Sequence, residues 1–197
     1  MRVDDGPTLI TGRLVLRRWR PEDLGPFAAM NADPVVMEYF PAALTEEQSD
    51  ALAARADGLF DIHGLGLWAV EVADVERFVG FVGLAPFFKE DPGALPFAPG
   101  VEVGWRLARN AWGKGIATEA ALAALEFGFS QAGLPEICSF TSVVNERSRA
   151  VMRRIGLHHD PADDFDHPRV PAGHTLRPHV LYKLSQPEWA EATSRPR

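Results

Sequence analysis

Cysteine is nearly absent from this chain of 197 residues. Cys138 stands alone, so no intrachain disulfide can form, and the composition does not ask for an oxidising compartment. Long apolar runs are missing as well: none approaches the roughly 20 residues of a membrane span. Residues 1–12 are polar and lack the apolar centre of a secretory signal. Positive charge is not in excess. With 20 Lys and Arg against 27 Asp and Glu, the formal net charge is -7, which argues against a broad nucleic-acid surface, because neutralising phosphates needs clustered cations. No repeat or low-complexity tract stands out. What is present is the make-up of a folded domain: 46% hydrophobic residues against 24% charged ones supply a core, and the length suits one domain. The expectation is a cytoplasmic protein with neither membrane nor nucleic acid as a partner.

Patterning along the chain predicts strands and helices mixed without strict alternation, hence a mixed α/β sheet with helices on both faces. Residues 13–19 alternate apolar and polar as a strand does, and Pro21-Glu22-Asp23 opens a helix with proline and acids at its start. Thr45 and Gln48 have capping-box spacing at the head of a second helix that runs to about His63. Residues 67–72 and 78–84 read as a hairpin turning near Asp74, and residues 86–100 as a Pro- and Gly-rich loop. A strand over 101–107 follows, then a helix from Gly113 to about Gln131 with small residues at helical spacing. Later come a strand over 136–143, a short helix over 145–154, the start of a strand at 157–159, a turn-rich stretch over 160–175 and a last strand over 178–184. The tail 186–197 reads as frayed.

The most informative stretch is Asn110-Ala111-Trp112-Gly113-Lys114-Gly115-Ile116-Ala117-Thr118-Glu119-Ala120, set between a strand and a helix. Gly113 and Gly115 let the backbone approach a ligand, and the helix start adds unpaired N–H groups at a positive dipole end, which together can make a phosphate site. The alternative is a turn that merely begins a helix. The stretch lacks the Gly-Lys-Ser/Thr ending of a P-loop and the three glycines of a dinucleotide fingerprint, which leaves a nucleotide-binding protein as a poor alternative.

One strand later comes Asn145-Glu146-Arg147-Ser148-Arg149-Ala150-Val151-Met152-Arg153-Arg154-Ile155-Gly156-Leu157. The two segments in this order resemble the GNAT superfamily of acyl-CoA-dependent N-acyltransferases: its pyrophosphate-binding turn, then its Asn-x-x-Ser/Ala helix ending in Gly-Phe or Gly-Leu. Thr11 to Arg17, Asn31 to Met37, and the ending from Gly173-His174 to Tyr182 are similar to the branch that contains the RimJ and RimL ribosomal-protein N-terminal acetyltransferases. The resemblance spans about residues 9–185. It implies one domain with a mostly antiparallel central sheet and a V-shaped split between two central strands. It also implies acetyl-CoA as co-substrate, a primary amine as acceptor (a protein N-terminus or a small molecule), direct transfer in a ternary complex, and no metal. A larger acyl donor, a module that binds CoA without turnover, and a homodimer remain open.

Carried over residue by residue, the resemblance implies that the backbone from Trp112 through Gly113, Lys114, Gly115 and Ile116 to Ala117 holds the CoA pyrophosphate. Lys114 either adds a charge-assisted contact or is a solvated lysine at a helix start. Beyond Leu107 the strand leaves backbone groups for the pantetheine arm, one N–H serving as oxyanion donor. Asn145 bonds pantetheine, caps its helix, or does both. Glu102 takes a proton from the amine, or is an ordinary ion-paired strand residue. Met152 stands where many relatives carry a tyrosine, so Ser148, one turn after Asn145, is the substitute donor to the leaving thiolate; otherwise it bonds its own helix. Met37 to Pro41 follow the first helix, where such enzymes build the acceptor wall, and also suit plain core packing. His158-His159-Asp160 does not suit a metal, since adjacent strand residues face opposite ways. His167, His174 and His179 lie in the late loop and last strand, and Cys138 reads as a core thiol.

Overall fold

The computed structural model describes residues 6–194; residues 1–5 and 195–197, the extremities of the two terminal stretches read above, lie outside the described residues. In chain order the elements are β1 (Leu9–Ile10), β2 (Leu14–Arg17), α1 (Leu24–Ala32), α2 (Glu46–His63), β3 (Leu67–Val72), β4 (Glu76–Phe87), β5 (Gly100–Leu107), α3 (Ile116–Glu126), β6 (Glu136–Ser142), α4 (Glu146–Arg154), β7 (His158–His159), β8 (Phe165–Asp166), β9 (Pro178–Ser185) and α5 (Gln186–Ser194). The architecture is the expected mixed α/β one, with mostly antiparallel pairing and flanking helices. The chain divides into two compact units, Met1–Ala85 with Gly104–Ala124, and Pro86–Val103 with Leu125–Arg197.

In the first unit β2 pairs antiparallel with β1 and β3, and β3 pairs antiparallel with β4. The turn after β3 places Asp74 at φ 58, so the hairpin stands as expected. A single 3-10 turn at Pro21–Asp23 leads into α1. Thr45 caps α2: its side chain accepts from the Gln48 N–H, and the Gln48 side chain accepts in return from the Thr45 N–H. Phe27, Met30, Val36, Ala53, Ala69, Phe78 and Phe81 form the core here, with Trp19 packed against it. The Trp19 indole N–H is satisfied by the Leu67 carbonyl at 2.7 Å, so a polar handle does not spoil the apolar cluster.

A buried ion pair lies inside this unit. Arg17 is 4% exposed, and its Nη1 and Nη2 donate to the two carboxylate oxygens of Asp23 at 2.7 and 2.9 Å, while Nε donates to Glu71 at 3.0 Å. Burial works to lower the Arg17 pKa, but the bonds to Asp23 and Glu71 outweigh it and hold the guanidinium above its ordinary value.

In the second unit β9 pairs antiparallel with β6 over Glu136↔Ser185 to Ser142↔His179, and also with β7 and β8. The pairing of β5 with β6 is parallel and carries one registered pair, Glu102↔Cys138. Phe87, Leu95, Ala98, Cys138 and Leu181 make the core, with Phe97, Phe140 and Phe165 against it. The tail reading needs correction. Residues 186–194 are the helix α5, whose Trp189 stacks on Phe129 with ring centroids 5.6 Å apart, and the Ser185 N–H and hydroxyl both bond the Glu188 carboxylate at its start. Among the described residues no helix is long and apolar enough to cross a membrane.

Asp23→Ala strands the Arg17 guanidinium in the core, and the expected cost is about 3–5 kcal/mol of stability. Thr45→Ala removes one cap and should cost about 1 kcal/mol. Urea unfolding of both variants, followed by tryptophan fluorescence, measures the two. A loss at Asp23 no larger than that at Thr45 would deny the buried pair its role.

Candidate active site

The glycine turn is built within the first unit. After β5, the Ala108 N–H bonds the Val79 carbonyl and the Trp112 indole N–H bonds the Leu107 carbonyl at 2.7 Å, so the chain reaches the turn from a fixed point. Gly113 and Gly115 then stand at φ 72 and 77, the left-handed region that side chains disfavour. This is why α3 begins at Ile116 rather than at Gly113 as expected. Gly113, Lys114 and Gly115 are exposed, Ile116 is buried and Ala117 half-buried. A Cβ on Gly113 would meet nothing within 4 Å, so this glycine answers to backbone conformation and not to crowding by the protein. The first N–H groups of α3 have no partner within the helix by the geometry of any helix start.

Arg13, just before β2, clamps this turn, and the sequence pattern offered no sign of it. Its Nη2 donates to the Lys114 carbonyl at 3.1 Å and to Glu119 Oε2 at 2.7 Å, and Nε adds a bond to the same oxygen at 2.9 Å. The Thr11 hydroxyl donates to the other Glu119 oxygen at 2.6 Å. Burial works to raise the Glu119 pKa, but the bonds from Thr11 and Arg13 hold it below the ordinary value. The first turn of α3 is therefore tied to the strand that precedes it in sequence by about a hundred residues.

The remaining candidates lie in the second unit. Glu102 is half-buried, and burial pushes its carboxyl up to about 8, with the Arg169 charge pulling the other way. Arg169 comes from the turn-rich stretch; its Nε bonds the Gly93 carbonyl and its N–H bonds His167 Nδ1. Asn145 is the N-cap of α4: its Oδ1 accepts from the Ser148 N–H at 3.2 Å, and its Nδ2 donates to Thr141 Oγ1 at 2.9 Å and Ser148 Oγ at 3.1 Å. Asn145 and Ser148 are thus brought together, and the Ser148 oxygen, already accepting, keeps its own proton to donate. Met152 is 1% exposed and packs in the core.

The other reactive side chains are accounted for by packing. His158 faces Glu188 at 3.6 Å and His159 faces Asp164 at 2.7 Å, separate partners as opposite faces require. His167 and His179 lie 4.7 Å apart by ring centroid among Phe140 and Phe165. Burial, with His179 and Arg169 adding to it, pushes His167 down to about 4. His174 accepts the Leu176 N–H. Burial raises the Cys138 thiol, and the nearby carboxylates add to that, which keeps it an inert core group.

A mixed sheet followed by an exposed glycine turn at a helix start suits an enzyme that binds a phosphate-bearing co-substrate. Comparison with known proteins gives the family. Residues 13–158 match the family model described as "Acetyltransferase (GNAT) domain", and the chain belongs to the GNAT acetyltransferases, enzymes that use acetyl-CoA and act on amine acceptors. A curated relative from Aspergillus fumigatus, FsC-acetyl coenzyme A-N(2)-transacetylase, is 30% identical over 96% of this chain and 80% of its own. The crystal structure of a GNAT-family acetyltransferase from Bacillus anthracis superposes with TM-score 0.75 at 24% identity, over 92% of this chain and all of the other. RimL, a ribosomal L7/L12 alpha-N-protein acetyltransferase solved with coenzyme A, superposes with TM-score 0.71 at 12% identity, over 91% and 98% of the two chains. These two structures share the fold.

The raised carboxyl of Glu102 has a consequence for stability. An unfolded glutamate loses its proton near 4.5 whereas the folded one holds it to about 8, so the folded state binds the extra proton between those values and stability falls as pH rises through that window. Glu102→Gln carries no such proton. The expected result is that the variant's melting temperature overtakes or closes on that of the wild type from pH 5 to pH 8.5; a constant difference across the range would show that the carboxyl ionises normally.

Proposed function

We propose that this chain transfers an acetyl group from acetyl-CoA to a primary amine, of a protein N-terminus or a small molecule, by direct attack in a ternary complex, and that residues 9–185 act as one acyltransferase domain. The observation that carries the reading is the exposed turn with Gly113 and Gly115 both left-handed at the head of α3, which suits a pyrophosphate held by backbone N–H groups and a helix dipole. The residues for it are Trp112, Gly113, Lys114, Gly115, Ile116 and Ala117, with Leu107 ahead of them as the source of a backbone donor to the reacting carbonyl.

Glu102 is the general base. A carboxyl held near 8 is a far better proton acceptor for an ammonium than an ordinary glutamate, and the cost is that much of it is protonated at neutral pH. Asn145 holds the pantetheine arm while capping α4, and the Ser148 hydroxyl, which accepts from Asn145 Nδ2, directs its proton outward to the departing thiolate. That thiolate leaves tolerably without help, since a free thiol has a pKa of about 8.5, so the serine contributes modestly. The arrangement favours turnover over a module that only binds CoA, because a carboxyl held so far from its usual value serves proton transfer and adds nothing to the grip on CoA.

Two measurements test this reading. Acetyl-CoA should raise the melting temperature of the wild type by binding the folded state. Gly115→Asp, which sets a carboxylate where phosphate belongs, should abolish that shift, whereas Gly115→Asn, uncharged and tolerant of the left-handed region, should keep part of it. Equal shifts in all three would remove the turn from the site. In steady-state assays of thiol release, kcat/KM should climb with pH and level off above about 8, as the carboxyl ionises. Glu102→Gln should lower it about a hundred-fold and flatten the climb, with CoA affinity unchanged.

A further inference from the structure

Three arginines of the first unit escape full exposure among the described residues: Arg17, Arg18 and Arg106. Two have carboxylate partners in bidentate geometry. Arg17 takes Asp23, and Arg18 takes Asp57 with Nε at 2.6 Å and Nη2 at 2.8 Å. Arg106, on β5, has none within ion-pair distance among the described residues. Its Nη1 donates to Asn31 Oδ1 at 2.6 Å, and its Nε is buried with no hydrogen-bond partner. Nη2, beside it, likewise has no hydrogen bond among the described residues. A desolvated donor without an acceptor costs stability that a purely structural side chain has no reason to give up.

The surroundings fix that guanidinium rather than neutralise it. Asn31 is fully buried, and its Nδ2 donates to the buried Ser49 hydroxyl at 2.8 Å, so its Oδ1 is oriented and holds the Nη1 edge of Arg106 in one place. The guanidinium carbon lies 4.1 Å from the ring centre of Phe40 and 5.6 Å from that of Phe81. Phe81 is buried, whereas Phe40 is 38% exposed and forms the outer of the two aromatic neighbours. One edge is anchored, two aromatic rings lie near the guanidinium carbon, and the remaining edge presents two parallel N–H groups, the fork that matches a carboxylate.

We propose that the unpaired Nε and Nη2 edge of Arg106 is an anion subsite, which seats a carboxylate carried by the amine acceptor beneath the ring of Phe40. The acceptor class is then a small amino-acid-like amine rather than a plain alkylamine. The proposal rests on the amine-acetylating reading above and narrows it. Arg106 immediately precedes Leu107, whose carbonyl anchors Trp112 at the glycine turn, so a carboxylate held there is one residue from the backbone assigned to the reacting carbonyl. Burial pulls the Arg106 pKa down to about 10, which leaves it fully charged at neutral pH.

The test compares matched pairs, glycine, glutamate and phenylalanine each against its α-carboxamide, on the full chain. Binding is read by tryptophan fluorescence with CoA present, and kcat/KM by thiol release from acetyl-CoA. The expected result is that at least one carboxylate binds about ten-fold or more tightly than its amide, the size of a charge-assisted hydrogen-bond pair. Arg106→Gln should erase the preference and Arg106→Lys should restore a small part, since a point charge does not reproduce the fork. Phe40→Ala changes an exposed side chain, so it should fold, and it should weaken carboxylate binding several-fold while sparing the amide. Failure of all three carboxylates to bind, no preference in the wild type, or a preference that survives Arg106→Gln overturns the subsite. Carboxylate binding lost in Arg106→Gln with no thiol release from any amine keeps the subsite and sinks acetyl transfer instead, so the two readings fail separately.

Discussion

The first unit is organised around the need to neutralise one buried cation. Arg17 sits at the end of β2 with almost no access to water, and a guanidinium there is tolerable only if every edge meets an acceptor. Asp23 supplies two oxygens, Glu71 another, and the Arg77 carbonyl a fourth at 2.8 Å. Asp23 is itself held by the Arg20 N–H at 2.8 Å. One side chain therefore binds β2 to β3, to the foot of β4 and to the turn that opens α1. With the start of α1 fixed, its far end is fixed too, and that end carries Asn31, the residue that positions Ser49 on α2 and Arg106 on β5.

Arg17 and Arg106 show how the same group serves two ends. At Arg17 the hydrogen bonds to carboxylates outweigh desolvation, and the cation is held more firmly charged than usual. At Arg106 desolvation stands without a carboxylate against it. The first arrangement is complete as it stands. The second is complete on one edge only, and what it lacks is a carboxylate partner. Glu102 presents the same imbalance with the opposite sign, an acid whose burial is only partly offset. Uncompensated charges of this kind tend to mark places where chemistry or recognition occurs.

Much of this was legible along the chain wherever the determining contacts are local. The Thr45 and Gln48 cap, the Asp74 turn, the Asn145 cap and the glycine turn each depend on residues within four positions of one another, and a linear pattern shows them. Boundaries moved where backbone conformation overrode composition: the left-handed glycines delay α3 to Ile116, and the tail folds as α5 because Trp189 finds Phe129 some sixty residues earlier. The supporting side chains were invisible for the same reason. Arg13 reaches Glu119, Arg169 influences Glu102, and Arg106 meets Asn31 and Phe40, all across separations that no spacing rule encodes. The paired motifs identified the family, but the side chains that brace the candidate residues had to be read from the fold.

In the role proposed for Glu102 as base, the Arg169 charge works in a favourable direction. A base drawn from an ordinary glutamate is nearly always ionised at neutral pH but has little thermodynamic pull on an ammonium proton. A fully buried one pulls harder and is almost never ionised. The rate depends on the product of the two quantities, and the product is largest when the pKa lies near the working pH. Burial moves Glu102 past that point, and the Arg169 charge draws it back to about 8. Arg169 also bonds the Gly93 carbonyl, and its N–H bonds the ring of His167. Burial keeps that ring neutral at working pH, so the imidazole adds no second positive charge beside Arg169. The turn-rich stretch thus holds Arg169 where its charge offsets part of the effect of burial on Glu102.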